Sequence, residues 1–402
     1  MASIVTTKFR VHNAEQFAEA FSETSNTIMY LFIGKNTTFP DDNNPPTPVN
    51  STANVEYTPW RDMYAAKRIT TADVTHAIPR YNWTSGTVYD RYDDQDTNLL
   101  ESDDFYVITE DFNVYKVLGN AGATASTTKP TGTSTTPFTA ADGYIWKYMY
   151  TVTTAKALKF LTNDYIPVQT LVSDDGTDQW DVQTAAIDGG IHVVNVTAGG
   201  SAYGSAPAVT ITGDGTGATA NSTITAGVVT EVTITNPGTG YTRAQVTFAS
   251  GAAAATAVIS PKGGHGSNAV EELGGKYIML NVRLDGTESN TFSTANEFRQ
   301  VGIVRDPYLY GTTTRAVASS FRQSFRYQLS SISGTFALDE TITSGSNTAS
   351  VSGGTSAASG TIAAITTPGL QPYSGDIIYV ENRVPISRAA DQIEDVKLII
   401  QF

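Results

Sequence analysis

Residues 374–402 read SGDIIYVENRVPISRAADQIEDVKLIIQF. Ile377, Ile378, Tyr379 and Val380 form a continuous apolar run, the pattern of a strand buried on both faces. A polar turn is expected through Glu381, Asn382, Arg383 and Pro385. The chain then alternates. Val396, Leu398, Ile400 and Phe402 face one way, and Lys397, Ile399 and Gln401 the other, a half-buried strand by its period of two. An aromatic at position 402 within a strand pattern suggests a docked end.

Composition widens this reading to the whole chain. A length of 402 residues suits two or three domains. Charged residues are only 16%, against a usual share of about 25%, so Thr, Ser, Asn and Gly carry the polar surface. With 20 Tyr, 34 Gly and abundant Thr, strands joined by tight turns are favoured over helices. The expected fold is mainly β: a layered, sandwich-like core, a few short helices near the N-terminus and two inserted small β domains. A net charge of −14 argues against nucleic-acid binding. With Cys at 0, disulfides and thiolate metal sites are excluded. MASIVTTKFR lacks an apolar signal region, and no run of about 18 apolar residues occurs, so a soluble protein with no membrane partner is expected.

Taken in order, Ile4 to Arg10 reads as a short strand, and Asn13 as the cap of a helix with Phe17, Ala20 and Phe21 on one face. Thr27 to Ile33 is a central strand. Thr58-Pro59 opens a second helix, with Trp60 and Tyr64 on one side, and Thr71 to His76 a third, stopped by Pro79. Phe105 to Leu118 gives two strands about Glu110-Asp111, and Ala121 to Pro137 a mobile Thr/Ser/Gly loop. Tyr144 to Val152 is a strand with Trp146, Tyr148 and Tyr150 on one face, and Asn163 to Leu171 another. From Ile191 the character changes. Val194-x-Val196-x-x-x-Gly200-x-x-Tyr203 recurs 38 residues on as Val232-x-Ile234-x-x-x-Gly238-x-x-Tyr241, a two-unit internal repeat. The expected organisation is core 1–190, inserted β repeat 191–262, core 263–326, second β insertion 327–370 and core strands 371–402.

Candidate chemistry is sparse. Asp214-Gly215-x-Gly217 lacks the following helix that a phosphate loop needs. Asp174-Asp175-Gly176-x-Asp178 has calcium-type ligands without the spacing of a known loop, so a solvated turn is expected. His265 among glycines could serve as base or ligand, but His12, His76 and His192 are scattered, and His76 reads as a hydrogen-bonded core residue. The acid pairs Asp391/Glu394 and Asp93/Asp94 could serve a glycosidase, though such pairs are frequent in an acidic chain. Trp83, Tyr89 and Tyr92, in series with Tyr81, suit packing or a subunit interface, or else a sugar platform. Glu381 and Arg383, two apart, could pair or clamp a neighbour. No catalytic, cofactor-binding or metal site is expected.

The C-terminal stretch resembles the end of the baseplate wedge subunit encoded by gene eight of T-even-type contractile-tailed phages. The resemblance rests on Gly375-Asp376, Ile378-Tyr379, Glu381-Asn382-Arg383-x-Pro385, Asp391-Gln392 and the apolar strand to Phe402. Four further islands agree in the same order. They are Val5-Thr6-Thr7-Lys8-Phe9-Arg10, Ala77-Ile78-Pro79-Arg80-Tyr81-Asn82-Trp83, Asp142-Gly143-Tyr144-Ile145-Trp146-Lys147-Tyr148 and Phe298-Arg299-Gln300-Val301-Gly302-Ile303-Val304. The resemblance omits the two β insertions. It implies a structural virion protein of the tail baseplate, made in the host cytoplasm, without catalysis or cofactor. It further implies a homodimer contacting the wedge proteins encoded by genes six, seven and ten. The competing expectation is a carbohydrate-binding or glycan-hydrolysing tail module.

Overall fold

The computed structural model describes residues 5–23, 27–102, 104–285, 291–292, 297–337, 340–344, 350–387 and 393–402. The protein is mainly β, with 43% strand and 13% helix. It divides into two compact units: Met1–Ala18 with Val74–Leu280 and Lys397–Phe402, and Glu19–Asp73 with Asn281–Val396. Among the described residues no helix is long and apolar enough to cross a membrane.

In the first unit two sheets share a core. One orders Tyr106–Ile108, Asn113–Asn120, Tyr144–Thr151 and Phe138–Thr139. The other sets Val74–Pro79 between Tyr165–Val168 and Tyr277–Asp285, with Ile393–Gln401 beyond; of the last two strands this unit holds the residues up to Leu280 and from Lys397. Ile78, Ile166 and Val168 of the second sheet meet Tyr106, Ile108, Val114, Leu118 and Met149 of the first, a sandwich-like packing. Phe402 donates its amide to the Lys276 carbonyl, and its ring lies 5.3 Å from Phe17.

Several local expectations need correction here. The N-terminal strand is absent from the described residues, Ile4 lying outside them, and a helix spans Thr7–Glu19 instead. Thr6 starts it, its hydroxyl accepting the Phe9 amide, so the cap lies well before Asn13. Thr71 to His76 is one 3₁₀ turn, Thr71–Asp73, and then strand. Val74, Thr75 and Ile78 are β-branched, and partner strands on both sides outweigh a weak helical period. Tyr150 does not share a face with Trp146 and Tyr148. Val114 is opposite Tyr150 but Tyr115 is opposite Tyr148, and the residue left over forms a bulge that turns Tyr150 into the inter-sheet core. The loop at 121–137 is pinned rather than free: Asp142 accepts the Thr127 and Thr128 amides, each at 2.8 Å, and Tyr115 and Tyr144 donate hydroxyls to Gly132 and Thr124.

Residues 191–259 contribute six strands that pair only with one another. Each repeat tyrosine is enclosed by glycines. The Tyr203 hydroxyl accepts the Ala253 amide at 2.9 Å and the Tyr241 hydroxyl the Ala218 amide at 3.3 Å. A Cβ at Gly251 would lie 2.3 Å from the Tyr203 hydroxyl, and one at Gly215 2.4 Å from the Tyr241 ring. Gly251→Ala and Gly215→Ala are therefore each expected to cost about 1–3 kcal/mol, by overpacking at Gly215 and by overpacking together with a φ of +79° at Gly251. Gly204→Ala, where nothing lies within 4 Å, is the control. Urea unfolding of the three variants checks this, and equal midpoints would remove the account of the repeat.

The second unit centres on an antiparallel sheet ordered Ser320–Arg322, Met63–Arg68, Met29–Gly34, Phe298–Arg305, Asp376–Ile386. Every residue of Met29–Gly34 is buried, as a central strand requires. The helix opened by Thr58-Pro59 is short, Thr58–Asp62, and Tyr64 lies in the strand after it. Asp376–Ile386 is an edge strand, so Ile378 is 40% exposed and the expected double burial fails. It also runs on through the expected turn. Pro385 is tolerated because an edge position needs no amide there. Residues 326–366 form a separate sheet ordered Arg326–Ser333, Ser359–Thr366, Ser350–Gly353, Ile342–Ser344.

Candidate functional site

Two lysines interrupt otherwise apolar strands. Lys116 in NVYKVLGN and Lys147 in YIWKYMYT stand opposite one another in the ladder, and both are buried. Burying two ammonium groups side by side demands a counter-charge. Glu272, in the short helix Ala269–Glu272, supplies it: Lys116 Nζ donates to Glu272 Oε2 at 2.9 Å. Glu272 Oε1 accepts the amides of Gly266 at 2.7 Å and Asn268 at 3.3 Å. His265 Nδ1 lies 3.1 Å from Lys116 Nζ, and the Tyr92 ring centre 4.0 Å from the same ammonium. Lys147 Nζ donates to the Thr135 carbonyl, and the His192 ring lies 5.6 Å from that of His265.

The glycine loop explains how a histidine reaches this depth. Gly264 has φ +97°, and a Cβ there would come within 2.4 Å of the Ile187 backbone. At Gly266 a Cβ would lie 2.5 Å from the Val182 side chain. Only a chain without side chains at both positions can lay His265 against Lys116.

Burial dominates the electrostatics. It pulls Lys147 down to about 8, with Glu272 opposing and Lys116 assisting. It lowers Lys116 against the pull of Glu272. His192 is pulled down to about 4 by burial and then by Lys147, and His265 is held well below the usual imidazole range by burial and then by Lys116. A lysine, a carboxylate and an imidazole within hydrogen-bond reach could exchange protons. Yet the side chains of Lys116, Glu272 and His265 are only 0%, 2% and 3% exposed, which leaves no face for a substrate. The cluster acts as a structural centre that fixes the loop to the sheet.

It also leads to an expected acid sensitivity of the fold. Both histidines bind a proton less readily folded than unfolded, so the unfolded chain takes up more protons as pH falls below 6.5. Stability is expected to drop progressively from pH 6.5 toward 4. Thermal melts across this range should show it, and His265→Gln with His192→Gln should flatten the slope.

The other candidates fall apart spatially. Tyr89 and Tyr92 are buried inside the first unit, so they are packing residues and not a platform or a surface. Trp83 is half-buried, its indole donating to Ser126 Oγ at 3.1 Å. Glu381 and Arg383 pair with each other at 3.1 Å, and Tyr379 donates to Glu381. His76 Nδ1 lies 2.9 Å from the Gly275 carbonyl. Asp174 and Asp175 accept the Gly176 and Thr177 amides, the solvated turn expected of them. Asp214 staples the Thr242 and Arg243 amides. Asp93 and Asp94 accept the Gln95 and Ile259 amides, while Asp391 lies outside the described residues. Among the described residues no group of three His, Asp or Glu side chains is placed to hold a metal ion. The ionic cluster itself escapes the sequence because Lys116 and Glu272 lie 156 positions apart. The available signal is a lysine in the middle of each apolar strand. Set against known protein families and curated proteins, the chain has no match in either.

Proposed function

We propose that the chain is a structural component of a contractile-tail baseplate wedge. It acts as a homodimer that joins neighbouring wedge proteins, including those encoded by genes six, seven and ten, during assembly and infection. The five collinear islands support this reading. The observation that carries it is the distribution of polar and apolar groups. The ionisable cluster of Lys116, Glu272 and His265 is sealed and mutually satisfied, whereas large apolar side chains stand open on strands, among them Ile378, Val384, Tyr327 and Ile332. That is the layout of a protein that works through interfaces rather than through a reactive group.

Light scattering of the purified protein should give a dimer, and co-expression with the other wedge proteins should give a stable complex. A monomer that ignores those proteins, or gold-labelled antibody binding particles away from the tail tip, overturns the reading.

A further inference from the structure

The Arg326–Ser333 strand is the outer strand of its sheet, paired only with Ser359–Thr366 among the described residues. Outer strands are normally blunted by proline, bulges or charge. Asp376–Ile386 follows that rule, with Pro385 and register shifts along its pairing. From Arg326 to Ser330 the other strand has no proline, and its register shifts only once, by a single residue, before the larger break beyond Ser330. Its side chains are open as well. Phe325 and Tyr327, 6.4 Å apart and nearly parallel, are 48% and 50% exposed, and Ile365, opposite Tyr327, is 54% exposed.

Charge reverses locally. Between Pro307 and Leu338 this acidic sequence holds Arg315, Arg322 and Arg326 and no Asp or Glu. Arg315 is paired with Asp306. Arg326 is exposed and close enough to Arg322 to be felt there as a like charge, and Arg322 Nε is buried with no hydrogen-bond partner among the described residues. Along a strand, alternate side chains take opposite faces, so this edge offers rings on one side and Arg326 on the other.

We propose that the Arg326–Ser330 edge receives an extended, acid-rich segment of a different protein as an added strand. Its backbone would complete the ladder, its apolar side chains would cover Phe325 and Tyr327, and its carboxylates would meet Arg326 and Arg322. The same strand of a second copy fits less well, because it brings no carboxylate to either arginine. The proposal rests on the wedge reading and names one of its interfaces.

The test is hydroxyl-radical footprinting of the isolated protein and of tail particles that contain it. Phe325 and Tyr327 should be oxidised several-fold more slowly in the particle. A photoreactive p-benzoylphenylalanine at position 327 should cross-link to an Asp/Glu-rich stretch of another protein. Arg322→Glu with Arg326→Glu should lower incorporation by about tenfold or more while leaving the unfolding midpoint in place. Unchanged oxidation overturns the proposal, as does wild-type incorporation of the double variant. So does a cross-link to a second copy, to an acid-free stretch or to a polysaccharide. If the chain is missing from tail particles, the wedge reading falls and takes this with it. If it is present with Tyr327 still open, only this interface falls.

Discussion

Glu272→Ala should destabilise the protein by about 3–5 kcal/mol, because it strands a buried ammonium. Lys116 has no path to water at 0% exposure, and its remaining neighbours, His265 Nδ1 and the Tyr92 ring, carry no negative charge to replace the carboxylate. The Gly266 and Asn268 amides lose their acceptor in the same step. Removing both charges is a different experiment. Lys116→Met with Glu272→Gln removes both charges at similar volume and keeps a side-chain oxygen for the Gly266 and Asn268 amides, so the pair's desolvation cost disappears. The double variant should therefore be far closer to wild type than the single one. Urea unfolding decides the matter: a single variant within about 1 kcal/mol of wild type would mean that water reaches Lys116 after all.

Trp146→Ala should cost about 3–5 kcal/mol, a cavity effect. Trp146 is fully buried, stacked on Tyr144 at 5.4 Å and edge-on to Tyr89 at 6.2 Å and Tyr115 at 6.5 Å. Four aromatic rings locked together relax poorly into a void. The indole nitrogen is buried without a hydrogen-bond partner among the described residues. Trp146→Phe removes that orphan donor and fills much of the space, so it should retain most of the stability. Thermal melts of the two variants separate the contributions. Similar large losses in both would show that the indole nitrogen has a partner.

Strand period was the readable part of this chain. Met29 to Ile33 is a run of large apolar residues, and its burial on both faces follows directly. Local reading failed where neighbours decide. Thr71 to His76 carries a plausible helical pattern, but two flanking strands claim its backbone. Tyr150 changes face through one bulged residue that no period reveals. Ile377 to Val380 looks internal, yet among the described residues only one side of the strand has a partner. The ionic cluster depends on a helix and a loop far downstream returning to the middle of a sheet, a long-range event invisible in windows of ten or fifteen residues.

The repeat block is anchored at one place, by a two-stranded ribbon and by the Thr239 hydroxyl and the Gly240 and Tyr241 amides, which donate to the Asp188 and Gly189 carbonyls. Ile191–Ala198 pairs with Ala254–Ile259, and Gly190 and Ser260 exchange hydrogen bonds at 3.0 Å, so the chain leaves and returns at the same spot. Val193 and Val258, near the base, belong to the inter-sheet core, whereas Val194 and Ala257 belong to the block. The base is thus fixed, and the block from Ile191 to Ile259 starts and ends on it with a core of its own. Such an attachment lets a lineage lose, lengthen or trade the outer module by a single recombination event, with the scaffold beneath it never rethreaded.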